Sequence, residues 1–264
     1  MSSVVRSSKP AKSFRTAATT GAQPEPSSAT QAACLVSVPS KPEVPDYLQD
    51  VYYWAYINPR HVKYLDNDFV VRTILWQQHN KLQRAAFAEI EPGQRVLQSA
   101  CVYGSFSANL TRHIGPQGTM DVFDVAEIQV INTRKKLAAF PNATVHYGNV
   151  LEMDLEPFDT ICCYFLLHEI PDEQKREAVN LFLSKVVSGG KVVFVDYHKP
   201  RWWHPLKLIT SIIFDWLEPF AKGLWRNEIV DFAEQPEKFT WRKERIFGGL
   251  FQKVVATRIE QSGT

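Results

Sequence analysis

The stretch Arg95-Val96-Leu97-Gln98-Ser99-Ala100-Cys101-Val102-Tyr103-Gly104 decides how this 264-residue chain folds. Its first six residues, Arg95–Ala100, are predicted to form a strand, and Gly104 ends the loop that follows. Beyond the loop, apolar side chains recur at helical spacing, which predicts a helix over Phe106–Ile114. A strand that turns through a glycine-ended loop into a helix is the opening unit of an alternating α/β sheet.

Strands and helices continue to alternate after this unit. We predict further strands at Thr119–Val125, Thr144–Tyr147, Phe158–Leu167 and Lys191–Tyr197, with helices at Ile128–Ala139 and Asp172–Val187. The chain then closes with two predicted strands, Phe239–Ile246 and Leu250–Ile259, joined through Gly248-Gly249. The predicted fold class is therefore a doubly wound, mostly parallel, seven-stranded α/β sheet with a terminal antiparallel hairpin.

The predicted folded domain, residues 43–264, has two segments outside this alternation. The extension, residues 43–92, begins with a stretch dense in aromatic residues at 46–59. Apolar residues on one face then predict a long helix at roughly 60–90. The insert, residues 200–236, lies between the fifth strand and the closing hairpin and is rich in Trp and Phe.

Residues 1–42 form a tail with five basic residues and one acidic residue. Since the chain carries a net charge of +2, the tail contributes +4 and the remainder is close to −2. A nearly neutral folded part argues against a nucleic-acid-binding surface. The Ser-, Thr- and Ala-rich composition predicts a mitochondrial transit peptide, and the alternative is a disordered extension with no targeting role.

The four cysteines do not form a recognisable framework. Cys34 lies in the tail, Cys101 in the loop, and Cys162 and Cys163 are adjacent in a predicted strand. This is neither a disulfide pattern nor a zinc-binding pattern, and it fits a reducing compartment such as the cytosol or the mitochondrial matrix. No apolar run reaches the roughly 18 residues that a membrane span needs.

Three points of the sequence converge on the carboxyl edge of the predicted sheet, where open α/β sheets bind ligands. The first is the loop Ala100–Ser105, where Gly104 would let the backbone approach a ligand. The second is Asp124, placed to accept hydrogen bonds from ribose hydroxyls, or alternatively to cap a helix. The third is Asn149 in Gly148-Asn149-Val150, which would meet an adenine amino group or serve only as a turn residue.

Taken together, Val96–Gly104, Asp124, Gly148–Val150, Phe158–Glu169 and the closing hairpin resemble a class I S-adenosylmethionine-dependent methyltransferase over roughly residues 90–259. A narrower resemblance runs from about residue 44. It is carried by five stretches: Pro45–Leu48, Tyr53–Tyr56, Ile74–Trp76, Ala100–Gly104 and Asp121–Val125. These resemble the methyltransferase-like enzymes of rhodoquinone biosynthesis.

The narrower resemblance implies an activity. It implies conversion of ubiquinone to rhodoquinone, in which an amino group replaces a ring methoxy group. The family is understood to use S-adenosylmethionine as the amino donor and to need Mn²⁺. It also implies a mitochondrial protein on the matrix face of the inner membrane. The oligomeric state stays open.

The loop departs from the methyltransferase pattern, in which a strand ends in Asp or Glu and Gly-x-Gly-x-Gly follows. Here Gln98 replaces the acid, Ala100 and Val102 replace two glycines, and Gly104 is kept. Without the acid, nothing at this position holds the cofactor amine as an ammonium ion, which favours its use as a nucleophile. Alternatively, Gln98 makes an ordinary hydrogen bond and the cofactor binds conventionally.

Candidate catalytic residues are Tyr103, which would face the cofactor or the quinone ring or only pack in the core, and His168, Asp196 and His198. A divalent cation would polarise a quinone carbonyl, and Mn²⁺ prefers carboxylate and imidazole ligands. The candidate ligands are His168 and Glu169 after the fourth strand, and Asp196 and His198 after the fifth. The alternative for His168-Glu169 is a helix cap.

The insert has the composition of a helix that lies in a membrane interface, with three Trp and two Phe in residues 201–220 and basic residues nearby. Because ubiquinone is dissolved in the bilayer, such a helix would bring the enzyme to its substrate. The alternative is that this helix only covers the core.

Two other functions remain open at this point. The chain would be a conventional methyltransferase of quinones or small molecules with an altered loop, or a non-catalytic scaffold of a quinone-synthesis complex. Loss of two glycines favours a scaffold, whereas the presence of Gly104, Asp124 and Asn149 favours an enzyme.

Overall fold

A computed structural model describes residues 44–260, and the predicted tail, with Cys34, lies outside these residues. Seven strands form one sheet in the order β3-β2-β1-β4-β5-β7-β6. The first five strands are parallel, and β7 runs antiparallel between β5 and β6. The strands are β1 Arg95–Gln98, β2 Thr119–Asp124, β3 Ala143–Tyr147, β4 Phe158–Tyr164, β5 Val186–Tyr197, β6 Phe239–Ile246 and β7 Phe251–Arg258. The predicted fold class is confirmed.

Nine α-helices accompany the strands of the described residues. Four precede the sheet, three connect its parallel strands, and two lie in the insert. They are α1 Asp46–Asp50, α2 Pro59–Leu65, α3 Asp68–Ile74, α4 His79–Phe87, α5 Phe106–Ile114, α6 Glu127–Leu137, α7 Asp172–Ser184, α8 Lys207–Trp216 and α9 Gly223–Arg226. A π-helical turn, Tyr53–Ile57, joins α1 to α2.

The central strands are buried on both faces because side chains alternate along each of them. Val96 and Cys162 belong to the apolar core on one face, whereas Leu97 and Cys163 belong to the core on the other. The two adjacent cysteines therefore point to opposite faces. The strand order reverses between β1 and β4, which places the ligand-binding crevice at the carboxyl ends of these two strands.

The predicted long helix at 60–90 is wrong, because three short helices occupy this stretch. The Asn67 side chain accepts a hydrogen bond from the Phe69 N–H at 2.8 Å and begins α3 separately from α2. Trp76 and Gln77 then adopt φ angles of 50° and 64°, which no α-helix accommodates, so α4 begins afresh at His79.

Two strand boundaries also differ from the prediction. Strand β4 ends at Tyr164 because Phe165 has a φ of 52°. Strand β5 begins at Val186 rather than Lys191, since a register shift between Phe158 and Thr160 of β4 accommodates the extra residues. No helix of the described residues is long and apolar enough to cross a membrane.

Candidate functional site

A cavity of about 430 Å³ opens at the carboxyl edge of the sheet. Its walls come from the loop after β1, from the ends of β2, β3 and β4, and from helices α3 and α8. Apolar and aromatic side chains form most of the wall, including Trp54, Leu75, Trp76, Phe165 and Phe214. A mostly apolar cavity with a few polar groups is typical of a small-molecule site.

Asp124 lies in the cavity wall at the end of β2. One carboxylate oxygen accepts from the Cys101 N–H at 3.1 Å, and the other accepts from the Ala126 N–H at 2.8 Å. Burial raises the pKa of Asp124 to about 6, although these N–H groups oppose the shift. Asp124 thus both fixes the loop and lines the cavity, and its contact with a ribose stays a prediction.

Asn149 also lines the cavity, after β3. Its side chain accepts a hydrogen bond from the Leu151 N–H at 3.1 Å and donates one to Glu152 at 2.8 Å. These are the bonds of a turn residue, which was the alternative considered for it. The proposed contact with adenine stays a prediction.

One part of the altered loop lines the cavity, whereas Gln98 at its start is buried in the core. Ala100, Val102 and Tyr103 line the cavity, whereas Gln98 is completely buried and does not. The Gln98 amide donates to the Ala100 carbonyl at 2.7 Å, and its Oε1 has no hydrogen-bond partner. Gln98, which replaces the expected acid, therefore makes its side-chain hydrogen bond within the loop.

Gly104 does not line the cavity, and its contact with a cofactor stays a prediction. Its N–H donates to Asp66 at 2.8 Å, and the next N–H, of Ser105, donates to Asp68 at 2.8 Å. Gly104 has a φ of 73°, and a Cβ on it would collide with the Asp68 carboxylate. The close approach that this glycine permits is therefore made by α3, whose Asp68 also accepts from the Ser105 N–H.

Tyr103 joins the loop to the π-helical turn. Its ring stacks on Tyr56 with centroids 5.6 Å apart and planes at 10°. Its hydroxyl donates to the Ala55 carbonyl and accepts from Gln129 at 2.8 Å. Tyr103 thus lines the cavity while its hydroxyl bonds to other groups of the protein. It has features of both roles that the sequence predicts for it.

His168 brings a charged group to the far side of the cavity. It is 4% exposed, and its Nδ1 lies 2.9 Å from an Asp196 carboxylate oxygen. Burial lowers the pKa of His168, but Asp196, Glu218 and Glu169 together raise it to about 9. Asp196 does not line the cavity and instead orients His168, because it also accepts from the His168 N–H at 3.3 Å.

Two carboxyl groups line the cavity beside His168. Glu169 accepts a hydrogen bond from the Tyr56 hydroxyl, and burial raises its pKa to about 8 although His168 opposes the shift. Burial also raises the pKa of Glu218, whose Oε2 is buried without a partner. The sequence analysis missed Tyr56 and Glu218, because each reaches the site from a segment outside the βα alternation.

Residues 96–190 match a family model described as a methyltransferase domain. The described chain has the class I methyltransferase fold. The structure of the N-methyltransferase NodS from Bradyrhizobium japonicum WM9, in complex with S-adenosyl-l-homocysteine, superposes with a TM-score of 0.55 at 14% identity. That match covers 82% of this chain and 100% of that one.

Two further proteins are similar to this chain. An O-methyltransferase family protein from Burkholderia thailandensis has a TM-score of 0.59 at 13% identity, over 78% of this chain and 62% of that one. A demethylmenaquinone methyltransferase from Staphylococcus aureus (strain JH9) is 22% identical over 194 residues, 72% of this chain and 76% of that protein. At these identities the structural likenesses establish the class I methyltransferase fold.

His198 is not part of the site. Its Nδ1 is 3.0 Å from the Gly249 carbonyl oxygen and its Nε2 is 3.7 Å from Glu228, and it does not line the cavity. Burial and nearby Lys243 lower its pKa. Its neighbour Tyr197 lines the cavity instead, and the catalytic role of His198 stays a prediction.

The four candidate metal ligands do not form a Mn²⁺ site. Within residues 44–260, no group of three or more His, Cys, Asp or Glu residues is arranged to hold a metal ion. Asp196 is engaged with His168, His198 lies elsewhere, and His168 Nε2 is 3.7 Å from Glu169. The metal requirement implied by the resemblance therefore finds no donor set among these side chains.

Proposed function

We propose that this protein is an S-adenosylmethionine-dependent transferase that modifies the ring of a polyprenyl quinone. The observation that carries the proposal is an apolar cavity that reaches from the loop after β1 to the carboxyl groups of Glu169 and Glu218. Such a cavity suits a flat, largely apolar ring with oxygen atoms at its edge. The similar protein from Staphylococcus aureus, which is named for its action on a quinone, adds support.

The cofactor would lie at the β1 and β2 ends of the cavity. Asp124 would accept hydrogen bonds from ribose hydroxyls, and Ala100 and Val102 would contact the cofactor through their backbone and small side chains. Bound S-adenosylmethionine supplies an activated methyl group and an amine. The aromatic walls would exclude water, and Glu169 and His168 would handle protons at the ring oxygen.

Transfer of the methyl group is the first candidate reaction. It is favoured by the family model and by the names of the similar proteins, which include N-, O- and quinone methyltransferases. A ring hydroxyl or an adjacent ring carbon would receive the methyl group after a proton leaves the hydroxyl.

Transfer of the amino group is the second candidate and corresponds to rhodoquinone synthesis from ubiquinone. The observation that favours it is the loop itself, in which buried Gln98 stands where methyltransferases carry an acid. With no carboxylate there to hold it as an ammonium ion, the cofactor amine would keep a free lone pair. The resemblance of residues 44–259 to the rhodoquinone enzymes supports the same reaction.

A doubly labelled cofactor distinguishes the two reactions. Full-length protein would receive S-adenosylmethionine with nitrogen-15 in the amino group and deuterium in the methyl group, with or without Mn²⁺. The substrates would be short-chain ubiquinone and short-chain demethylmenaquinol, and mass spectrometry would follow the products. Deuterium in the quinone establishes methyl transfer, and nitrogen-15 establishes amino transfer.

The remaining outcomes overturn the proposal at different levels. Cofactor binding without either product would exclude these quinones as substrates. Absence of cofactor binding, measured by calorimetry, would exclude the enzyme and favour the scaffold.

The location is also proposed. The composition of residues 1–42 favours import into mitochondria, and the exposed apolar side chains of α8 favour peripheral contact with the matrix face of the inner membrane. The polyprenyl tail of the substrate would then reach the cavity from the bilayer.

A further inference from the structure

Glu218 occupies an unusual position for a carboxylate. It follows α8 in the insert and lines the apolar cavity, yet its Oε2 is buried and accepts no hydrogen bond within residues 44–260. Burying such a group without a partner costs folding free energy. A carboxyl group kept at this cost calls for a partner, and a ligand in the cavity could supply one.

The backbone around Glu218 is held firmly. Lys175 on α7 is fully buried, and its ammonium donates to the Ile170 carbonyl at 2.7 Å, to Asp172 at 2.7 Å and to the Phe220 carbonyl at 3.1 Å. Phe220 is two residues beyond Glu218, whose own carbonyl accepts from the Ala221 N–H at 3.0 Å. These bonds fix the segment that carries Glu218 against α7.

Two other buried polar atoms in the same cavity wall also lack partners. Tyr164 and Ser99 are each 3% exposed, and neither the Tyr164 hydroxyl nor the Ser99 hydroxyl makes a hydrogen bond. Buried polar atoms in folded proteins are almost always paired, so the unpaired atoms that face this cavity are available to a ligand within it. The mostly apolar wall favours an apolar ligand with a few polar atoms.

We propose that Glu218 hydrogen-bonds a ring oxygen of the quinone substrate, and that the insert positions it for this contact. The inference rests on the proposed function and adds a residue that recognises the substrate. A carboxyl group suits either redox form, because it accepts from a hydroxyl as a carboxylate and donates to a carbonyl as an acid. Glu218 would thus orient the ring relative to the cofactor.

One competing explanation involves Tyr52, whose buried hydroxyl lies beside Glu218 and lowers the pKa of that carboxyl group as a hydrogen-bond donor would. A small rotation would pair Glu218 with Tyr52, and the carboxylate would then have a structural purpose. Tyr52 does not line the cavity, so the two explanations predict different effects of substitution.

The test uses full-length protein, and quenching of tryptophan fluorescence reports binding because Trp54 and Trp76 line the cavity. The probes are short-chain ubiquinone and its reduced form. E218L fills a similar volume without polar atoms, and we expect it to raise the Kd for at least one probe by roughly ten- to a hundredfold. It should also raise the Tm, since an unpartnered buried carboxylate is removed. E218Q, which keeps a donor and an acceptor, should bind with an intermediate Kd.

Two matched variants serve as controls. D215A removes an exposed carboxylate of the same insert that does not line the cavity. Y52F removes the hydroxyl that could otherwise pair with Glu218. Both should bind the quinone as the wild type does, and all variants should keep their affinity for S-adenosyl-homocysteine. Wild-type quinone affinity in E218L would overturn the inference, and so would a lowered Tm in E218L or an equal loss of affinity in Y52F. If the wild type itself binds neither probe, the proposed function fails as well.

Discussion

Glu169 and His168 are adjacent in the chain, and each affects the charge of the other. The folded state binds protons at both residues more tightly than the unfolded chain does, because the pKa of Glu169 rises from 4.5 to about 8 and that of His168 from 6.5 to about 9. Ionised Glu169 destabilises the folded state. This destabilisation is absent below about pH 4.5 and complete above about pH 8. The favourable imidazolium of His168 contributes fully below pH 6.5 and is lost as the pH rises through about 9.

Both residues therefore predict a free energy of unfolding that falls as the pH rises from 4.5 to 9. E169Q removes the contribution of Glu169 and keeps an acceptor for the Tyr56 hydroxyl. Between pH 5 and 8, the Tm of E169Q should therefore fall by several degrees less than the Tm of the wild type. Differential scanning calorimetry at steps of one pH unit measures this. D154N, at a fully exposed carboxylate, should follow the wild type. Equal slopes for E169Q and wild type would contradict the prediction.

At the scale of elements, α3 acts on the loop after β1 through Asp68. This carboxylate accepts from the Ser105 N–H at 2.8 Å and from the Ser105 hydroxyl at 3.0 Å, and it thereby caps α5. The neighbouring Asp66 accepts from Gly104 and pairs with Lys136 at 2.8 Å. The extension thus holds the loop in its altered shape, and a side chain at position 104 would break the contact.

G104A should lower the free energy of unfolding by about 2–4 kcal/mol, because it combines a strained positive φ with a collision against Asp68. G93A shares the positive φ, at 87°, but a Cβ there meets nothing within 4 Å, so it should cost only about 1 kcal/mol. In the double variant G104A/D68A the collision is relieved. Its free energy of unfolding should therefore fall by less than the sum of the falls caused by G104A and D68A alone. Urea unfolding of the wild type, G104A, G93A, D68A and the double variant measures these costs. Strict additivity of G104A and D68A would show that Asp68 does not set the requirement for glycine.

At the scale of the whole molecule, exposed apolar side chains surround the mouth of the cavity. Ile74 of α3 and Leu217 beyond α8 both line the cavity and are 48% and 45% exposed, so they lie at its opening. Other large exposed side chains belong to α3 and to the insert, namely Phe69, Trp202, Leu208, Ile212 and Trp216. An apolar surface of this kind is the feature expected where a protein takes a lipid-soluble substrate from a bilayer.

Replacing Trp202 and Trp216 together by serine should weaken binding to vesicles that contain cardiolipin by at least tenfold, because both indoles are more than 80% exposed. Affinity for S-adenosyl-homocysteine should not change. I259S is the control, since Ile259 is exposed beyond β7 at the edge of the sheet where β5 begins its pairing with β7, away from the cavity. Vesicle flotation measures binding, and equal loss in I259S would show that apolar exposure in general, and not this surface, is responsible.

The sequence by itself determined the order of strands and helices from Arg95 onward, because alternation and helical spacing are properties of neighbouring residues. It also placed Asp124, Asn149 and His168 at one edge, since the carboxyl ends of parallel strands lie together. The helix predicted at 60–90 is too long, because the cap and the positive φ angles that end the helices there leave only weak signals in the sequence.

Only the tertiary structure decided which side chains complete the site. Tyr56 meets Glu169 across 113 positions of the chain, Asp68 meets Ser105 across 37, and Glu218 reaches the cavity from the insert. Such contacts depend on how the extension and the insert pack against the sheet, and no local periodicity encodes that packing. The same packing holds His198, just beyond β5, against the Gly249 carbonyl and near Glu228, while Tyr197 at the end of β5 lines the cavity.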